Sequence, residues 1–134
     1  MKYIFLFPIF LALFLLFSCA TGTVNIPNDL SPAEIIQRAQ EASDRNRYNA
    51  ALQYYQALHD RNPFSIDLVC TAEYEIAFIQ YKQKNYTQAR ENFNSLLERY
   101  ETNDGEYLPP QFKLLARKVL DRIDEKDKPR SNKK

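Results

Sequence analysis

Few side chains in this sequence are of the kind that carries chemistry, and their spacing limits what each can do. The 134 residues include one histidine, two cysteines and two glycines. His59 stands beside Asp60 and Arg61, but a general base or metal ligand needs further donors within reach. No second histidine exists to supply one, so His59 reads as a solvated surface residue. Glu73 and Glu75 are two positions apart, which on a helix places them on different faces and argues against an acid–base dyad. Gly22 and Gly105 cannot build a glycine-rich phosphate loop. Asn85-Tyr86-Thr87 matches a glycosylation acceptor and reads as coincidence in a turn. Cys70 lies in an apolar-periodic stretch and reads as an inert core thiol. These residues offer no catalytic centre, no metal site and no cofactor site, and the chain reads as a non-enzyme.

Cys19 differs because of what precedes it. One charge, Lys2, is followed by an apolar run from Tyr3 to Phe17, shorter than the ~18 residues a bilayer-spanning helix needs. A charged start, a short apolar stretch and a small residue before a cut site make a secretory signal. Leu16-Phe17-Ser18-Cys19 resembles the bacterial lipobox, although Phe17 is bulkier than that family usually carries there. The resemblance implies a signal peptide over residues 1–18, cleavage before Cys19 and lipid on its thiol. Residues 19–31 then read as a lipidated tether. The stretch from Ala20 to Leu30 would span at most about 35–40 Å when extended. Ala20 and Thr21 are not an aspartate-type retention signal, which points to a lipid anchor in the outer membrane, on its periplasmic face. With Cys19 acylated, Cys70 has no internal disulfide partner.

Charge narrows the partners. The whole chain carries a net charge of +1, so removal of Lys2 leaves the rest balanced. Residues 125–134 (EKDKPRSNKK) form a basic tail that reads as disordered and solvated, with contact to anionic headgroups as the alternative. A neutral exported domain gives no reason to expect nucleic-acid binding, which depends on basic surface.

The elements that position these residues read as helices throughout. Ser31-Pro32-Ala33-Glu34 has a capping serine, a proline at the first helical position and a glutamate returning to the cap. From there to Asp124 no strand-like alternation occurs, and breaks fall at Pro63 and at Asn103-Asp104-Gly105. The pattern predicts five helices: Pro32 to Arg45, Tyr48 to Arg61, Ile66 to Lys84, Thr87 to Tyr100, and Pro109-Pro110 to Asp124. Links of two residues force antiparallel hairpins. In the last helix Phe112, Leu115, Ala116, Val119, Leu120 and Ile123 form one apolar stripe.

An internal repeat sets the architecture. A shift of 38 positions superposes Ala39 on Ala77, Tyr48 on Tyr86, Ala51 on Ala89, Tyr55 on Phe93, Leu58 on Leu96 and Arg61 on Arg99. Small residues recur where helices cross closely, and large ones where a gap must be filled. YNAALQYYQALHDRNP and YTQARENFNSLLERYE resemble the second helix of a tetratricopeptide repeat, and Ala39 and Ala77 match the small residue of its first helix. Ile35 stands where the family has an aromatic, and Tyr74 lies one position late. The family period is 34, so four residues are added here, around FSIDLVCTAE. The resemblance implies an all-α fold over residues 32–124: a short tetratricopeptide-like α-solenoid of two helix hairpins and a C-terminal capping helix.

Such solenoids line a concave face with the first helix of each pair, and that implies a protein partner. Tyr74, Phe78, Tyr81 and Lys82 recur at helical spacing on the third helix, with Arg117 and Asp121 expected beside them. Tyr81 and Lys82 are the stronger expectation for exposure, because Tyr74 and Phe78 also suit core packing. The outer face of the first hairpin (Ile35, Ile36, Leu52) lacks a visible cover, which suggests a partner or a second copy of the chain. ARENFNSLLERY, AEYEIAFIQYKQKNYTQA and a lipidated cysteine shortly before the first helix resemble the BamD family of outer-membrane barrel-assembly lipoproteins. That resemblance implies a scaffold for an Omp85-type barrel protein and for unfolded outer-membrane proteins. The family has about five repeats, and this chain has two and a helix. The alternatives are a periplasmic coordinator of envelope division and an accessory of a secretion apparatus.

Overall fold

The computed structural model describes residues 22–127. The expected signal peptide, Cys19 and the last seven residues lie outside that range. Five helices follow one another: α1 (Pro32–Asp44), α2 (Tyr48–Arg61), α3 (Ile66–Lys82), α4 (Tyr86–Arg99) and α5 (Pro110–Asp127). A short 3-10 turn, Gly105–Tyr107, precedes α5. Among the described residues there is no strand. The all-α solenoid of two hairpins and a closing helix is therefore the fold. Successive helices run up and down, so the turns at 45–47 and 83–85 share one end, called here the near end. The connections at 62–65 and 100–109 share the far end.

Local chemistry explains the boundaries. Ser31 and Glu34 form the expected capping box: Glu34 donates its amide to Ser31 Oγ at 3.3 Å, and the Glu34 carboxylate accepts the Ser31 amide at 2.9 Å. The Ser31 hydroxyl also donates to that carboxylate at 2.6 Å, and this bond together with the Ser31 amide holds the Glu34 carboxyl below its usual range. Helices α1 and α3 stop two residues short of the expected ends at Lys84 and one short at Arg45, through the same device. Asn46 and Lys84 adopt left-handed φ of 56° and 63°. Their amides, and those of the residues after them, turn back to the last carbonyls: Arg47 to Ala42 at 2.8 Å and Asn85 to Gln80 at 3.0 Å. This is the Schellman geometry, which satisfies the orphan carbonyls of a helix end. The two turns lie 38 residues apart, so the sequence repeat extends to the backbone.

The repeat also holds in the core. Ala39, Ala51, Ala77 and Ala89 are fully buried where helices cross, and Tyr55, Phe93, Leu58 and Leu96 fill the space beside them. The four residues added to the repeat extend α3 by one turn instead of forming a longer loop. Helix α3 has 17 residues where α1 has 13. The added turn, residues 66–69, brings Val69 into the core, and Cys70, at the position of Pro32 in the first copy, joins the cluster of Tyr100 and Leu108. Burial pushes the Cys70 thiol up, away from reactivity.

Helix α5 packs on α4 and α3 through Ala116, Val119 and Ile123. Leu115, assigned to that stripe from spacing, is 38% exposed. The helix continues three residues past Asp124, because Arg90 of α4 pairs with both Asp124 and Asp127. At the far end Gly105 is needed for close approach: a Cβ there would lie 2.4 Å from the Tyr100 carbonyl oxygen. Its neighbour Tyr100 donates its hydroxyl to Pro109 O at 2.6 Å and is pushed up to about 12 by burial.

The largest departure from expectation is the tether. Residues 22–30 lie along α2. The Val24 amide donates to Gln53 Oε1 at 2.8 Å, and Gln53 Nε2 donates to Gly22 O at 3.3 Å. Further on, Arg61 donates to Pro27 O and Ile26 O, both at 2.8 Å. Leu30 packs with Ile36 and Leu52 against the first core cluster, and Ile35 is 1% exposed. The uncovered outer face expected on the first hairpin is therefore absent. The argument for a second copy at that place falls with it.

Candidate partner-binding face

The residues assigned to a binding face separate in the structure. Tyr74 is 8% exposed and sits in the core, its ring 5.7 Å from Phe93 and 5.4 Å from Phe112. Burial pushes its phenol up, and the charge of Glu75 acts in the same direction. Phe78 stacks on Tyr74 at 5.9 Å and on Tyr81 at 6.0 Å, with both Phe78 and Tyr81 half-buried. Tyr81 in turn lies 5.7 Å from Tyr86. The three rings of α3 and that of Tyr86 at the start of α4 form a continuous ladder that is buried at Tyr74 and opens toward the near end.

Cations cover the open part of the ladder. Lys82 Nζ lies 5.6 Å over the Phe78 ring and donates to Ser43 Oγ of α1 at 2.9 Å. Lys126 Nζ lies 5.4 Å from the Tyr86 ring and 6.0 Å from that of Tyr81. On the same helix, the Glu75 carboxyl is pushed up by burial and drawn back by Lys82. This arrangement can bind by aromatic contact and by charge pairing. Arg117 does not belong to it. Its guanidinium points to Glu101, 3.9 Å away, beside Lys113 on the α4 side of α5. The α5 cation that reaches the ladder is Lys126. Spacing on α5 alone could not choose between Arg117 and Lys126, since the rotation of the helix is set by its packing.

A second concavity, of about 560 Å³, lies between α2 and α4 and is lined by His59, Glu73, Ser95 and Arg99 among others. His59 is half-buried, with Nδ1 3.0 Å from Asp60 and Nε2 3.9 Å from Glu73. It is thus a wall of a cleft, with a carboxylate that lies 14 positions away in sequence, and not a freely solvated side chain. Arg99 pairs with Glu73. The position equivalent to Glu73 in the first copy is Ile35, so the equivalent arginine, Arg61, turns to the carbonyls of residues 26–27. Neither hydroxyl of the cleft hydrogen-bonds His59, so no nucleophile–base pair is assembled there. Among the described residues no group of His, Cys, Asp and Glu is placed to hold a metal ion. Sequence reading also missed Phe64, which is 99% exposed at the far end with Ile66 and Tyr107 also exposed. No helix among the described residues is long and apolar enough to cross a membrane.

Comparison with known proteins agrees with the hairpin geometry. Residues 71–103, spanning most of α3 and all of α4, carry a tetratricopeptide repeat. The chain is 34% identical over 115 residues to an uncharacterized protein of Treponema pallidum (strain Nichols), a match that covers 84% of this chain. The chain spans about half of that relative's length, 46%. No solved structure matches it. A tetratricopeptide repeat stacks helix pairs into a surface for protein partners, and the class of protein defined here is a protein-interaction scaffold.

Proposed function

We propose that this protein is a lipid-anchored tetratricopeptide-repeat scaffold that holds a protein partner close to the outer membrane. The observation that carries the reading is the aromatic ladder of α3, half-open at Phe78 and Tyr81 and rimmed by Lys82 and Lys126. Half-exposed rings beside cations suit an extended or acidic protein segment. The lipobox-like Leu16-Phe17-Ser18-Cys19 supports the anchor, and the resemblance to the BamD family supports a place in β-barrel assembly, with an Omp85-type barrel protein and unfolded outer-membrane proteins as partners.

Affinity purification of the full chain from detergent-solubilised envelope tests it. The expected outcome is recovery of an Omp85-type barrel protein, weakened by Tyr81→Ala with Lys82→Ala and unaffected by Arg117→Ala. A Cys19→Ser chain should leave the outer-membrane fraction. Recovery of a peptidoglycan synthase or a secretin ring instead moves the protein to envelope division or to secretion. Recovery that ignores the Tyr81 and Lys82 substitutions refutes the assigned face.

A further inference from the structure

The up-and-down course of the helices brings both outward-leading strands of the chain to the near end. Gly22 lies beside the turn at Asn46–Asn49, as its carbonyl contact with Gln53 and the shared cavity there show. Asp127 ends α5 next to Arg90, in the first turns of α4. Residues before Gly22 and after Asp127 therefore start from the same end of the solenoid. Because residues 22–30 are docked on α2, only two residues separate Cys19 from Gly22, a span of about 10 Å at most.

The two ends differ in charge. At the near end Arg45, Arg47 and Lys84 are exposed, and none has a carboxylate within ion-pair distance among the described residues. Lys82 and Lys126 add two more cations there. Of the carboxylates at that end, Asp124 and Asp127 are taken by Arg90, while Glu41, Asp44, Glu91 and Glu125 remain and only partly offset the free cations. Residues 128–134 (KPRSNKK), which continue from Asp127, contain four cations and no acid. At the far end the cations are engaged: Arg61 by backbone carbonyls, Arg99 by Glu73 and Lys113 by Glu101. Asp29, Asp67, Glu98, Asp104 and Glu106 are exposed there.

We infer that the near end is a membrane-facing platform on which Arg45, Arg47 and Lys84 hold anionic lipid headgroups. Repulsion keeps the acidic far end, with its exposed Phe64 and Tyr107, directed away from the bilayer. Each cation near an anionic surface strengthens the contact roughly fivefold, so three of them favour this orientation by about a hundredfold. The ladder opening at Tyr81 then lies next to the membrane surface, where a client leaving or entering it would pass. The platform rests on the anchored reading for its distance from the bilayer, while the headgroup contact itself depends only on charge.

The test uses the full chain, purified and reconstituted into vesicles of phosphatidylcholine alone or with one part in three phosphatidylglycerol. A fluorophore is placed at the near end through Gln83→Cys or at the far end through Asn103→Cys, and a lipid-borne headgroup quencher reads proximity. Buried Cys70 should not label, and the unsubstituted chain checks this. The near-end label should be quenched several-fold more in anionic than in neutral vesicles, and the far-end label in neither. High salt should bring the anionic-to-neutral ratio to one, and the triple substitution Arg45→Gln, Arg47→Gln and Lys84→Gln should remove most of its excess; an undiminished ratio in the triple variant overturns the platform. A ratio of one in the unsubstituted protein, or quenching of the far-end label, overturns the platform. Mass spectrometry of the same preparation reads the anchor separately. An unacylated Cys19 refutes the anchored scaffold, and the labelled chain added to vesicles from solution then reads the headgroup contact by itself.

Discussion

Replacing Arg61 with alanine should loosen the segment ahead of α1 while leaving the helices in place. The Arg61 guanidinium holds two backbone carbonyls at 2.8 Å and Asn28 Oδ1 at 3.4 Å. A hydrogen bond from a charged donor contributes ~1.5–3 kcal/mol when shielded, but Arg61 is exposed and water competes for it. We therefore assign the set about 1–2 kcal/mol, which corresponds to a roughly 5- to 30-fold shift in local opening. Hydrogen exchange reads this at the Val24 amide, whose bond to Gln53 is untouched by the substitution. Its exchange should quicken by that factor, while the amides of Leu58 and Phe93 keep their protection. If the Val24 amide exchanges at the same rate in both proteins, the docking does not depend on Arg61 and the short reach from Cys19 loses its support. If the core amides speed up equally, residues 22–30 are part of one cooperative unit and not a separately docked segment.

Four further outcomes are expected. Tyr74→Ala should lower stability in urea unfolding by about 3 kcal/mol, the cost of a large core truncation, and Tyr81→Ala by clearly less; equal costs would contradict their different burial. Lys84→Gly should raise stability by about 0.5–1 kcal/mol, because glycine adopts the left-handed conformation without strain; a loss would show that the Lys84 side chain supports the turn. Gly105→Ala should lower stability in urea unfolding by about 1–3 kcal/mol, since the added carbon meets backbone and not a movable side chain; an unchanged midpoint would refute the close approach. At alkaline pH, the folded state holds Tyr100 neutral up to about 12 while the unfolded phenol ionises near ~10. Its contribution is therefore complete below pH ~10 and is lost as pH rises through about 12. Tyr100→Phe should make the unfolding midpoint less steep over that range, and an identical pH profile would count against the assignment.

Much of the fold was legible in the residues because the information was local or periodic. Ser31 and Glu34 satisfy a helix start within four positions, and α2 begins and ends where Tyr48 and Arg61 were read. The 38-residue recurrence named the crossing alanines and the rings beside them before any contact was known. The binding face was less legible. Tyr74, Phe78, Tyr81 and Lys82 share a helical stripe, but the depth of each depends on where α5 lands, and Phe112 of α5 is what closes over Tyr74.

The sequence alone therefore determined the helices, their hairpins and the recurring core, since capping, turn length and apolar spacing act over a few residues. It also supplied the lipobox-like motif at Cys19. Only the tertiary structure decided that residues 22–30 lie along α2, because nothing in an aperiodic segment records which distant side chain will take its carbonyls. The same holds for Lys126 standing beside the ladder where Arg117 was expected, which depends on the packing of α5, and for the cations that meet at one end from three separate turns and termini. Those are consequences of which helix ends come together, and chain order fixes them only once the helices have packed.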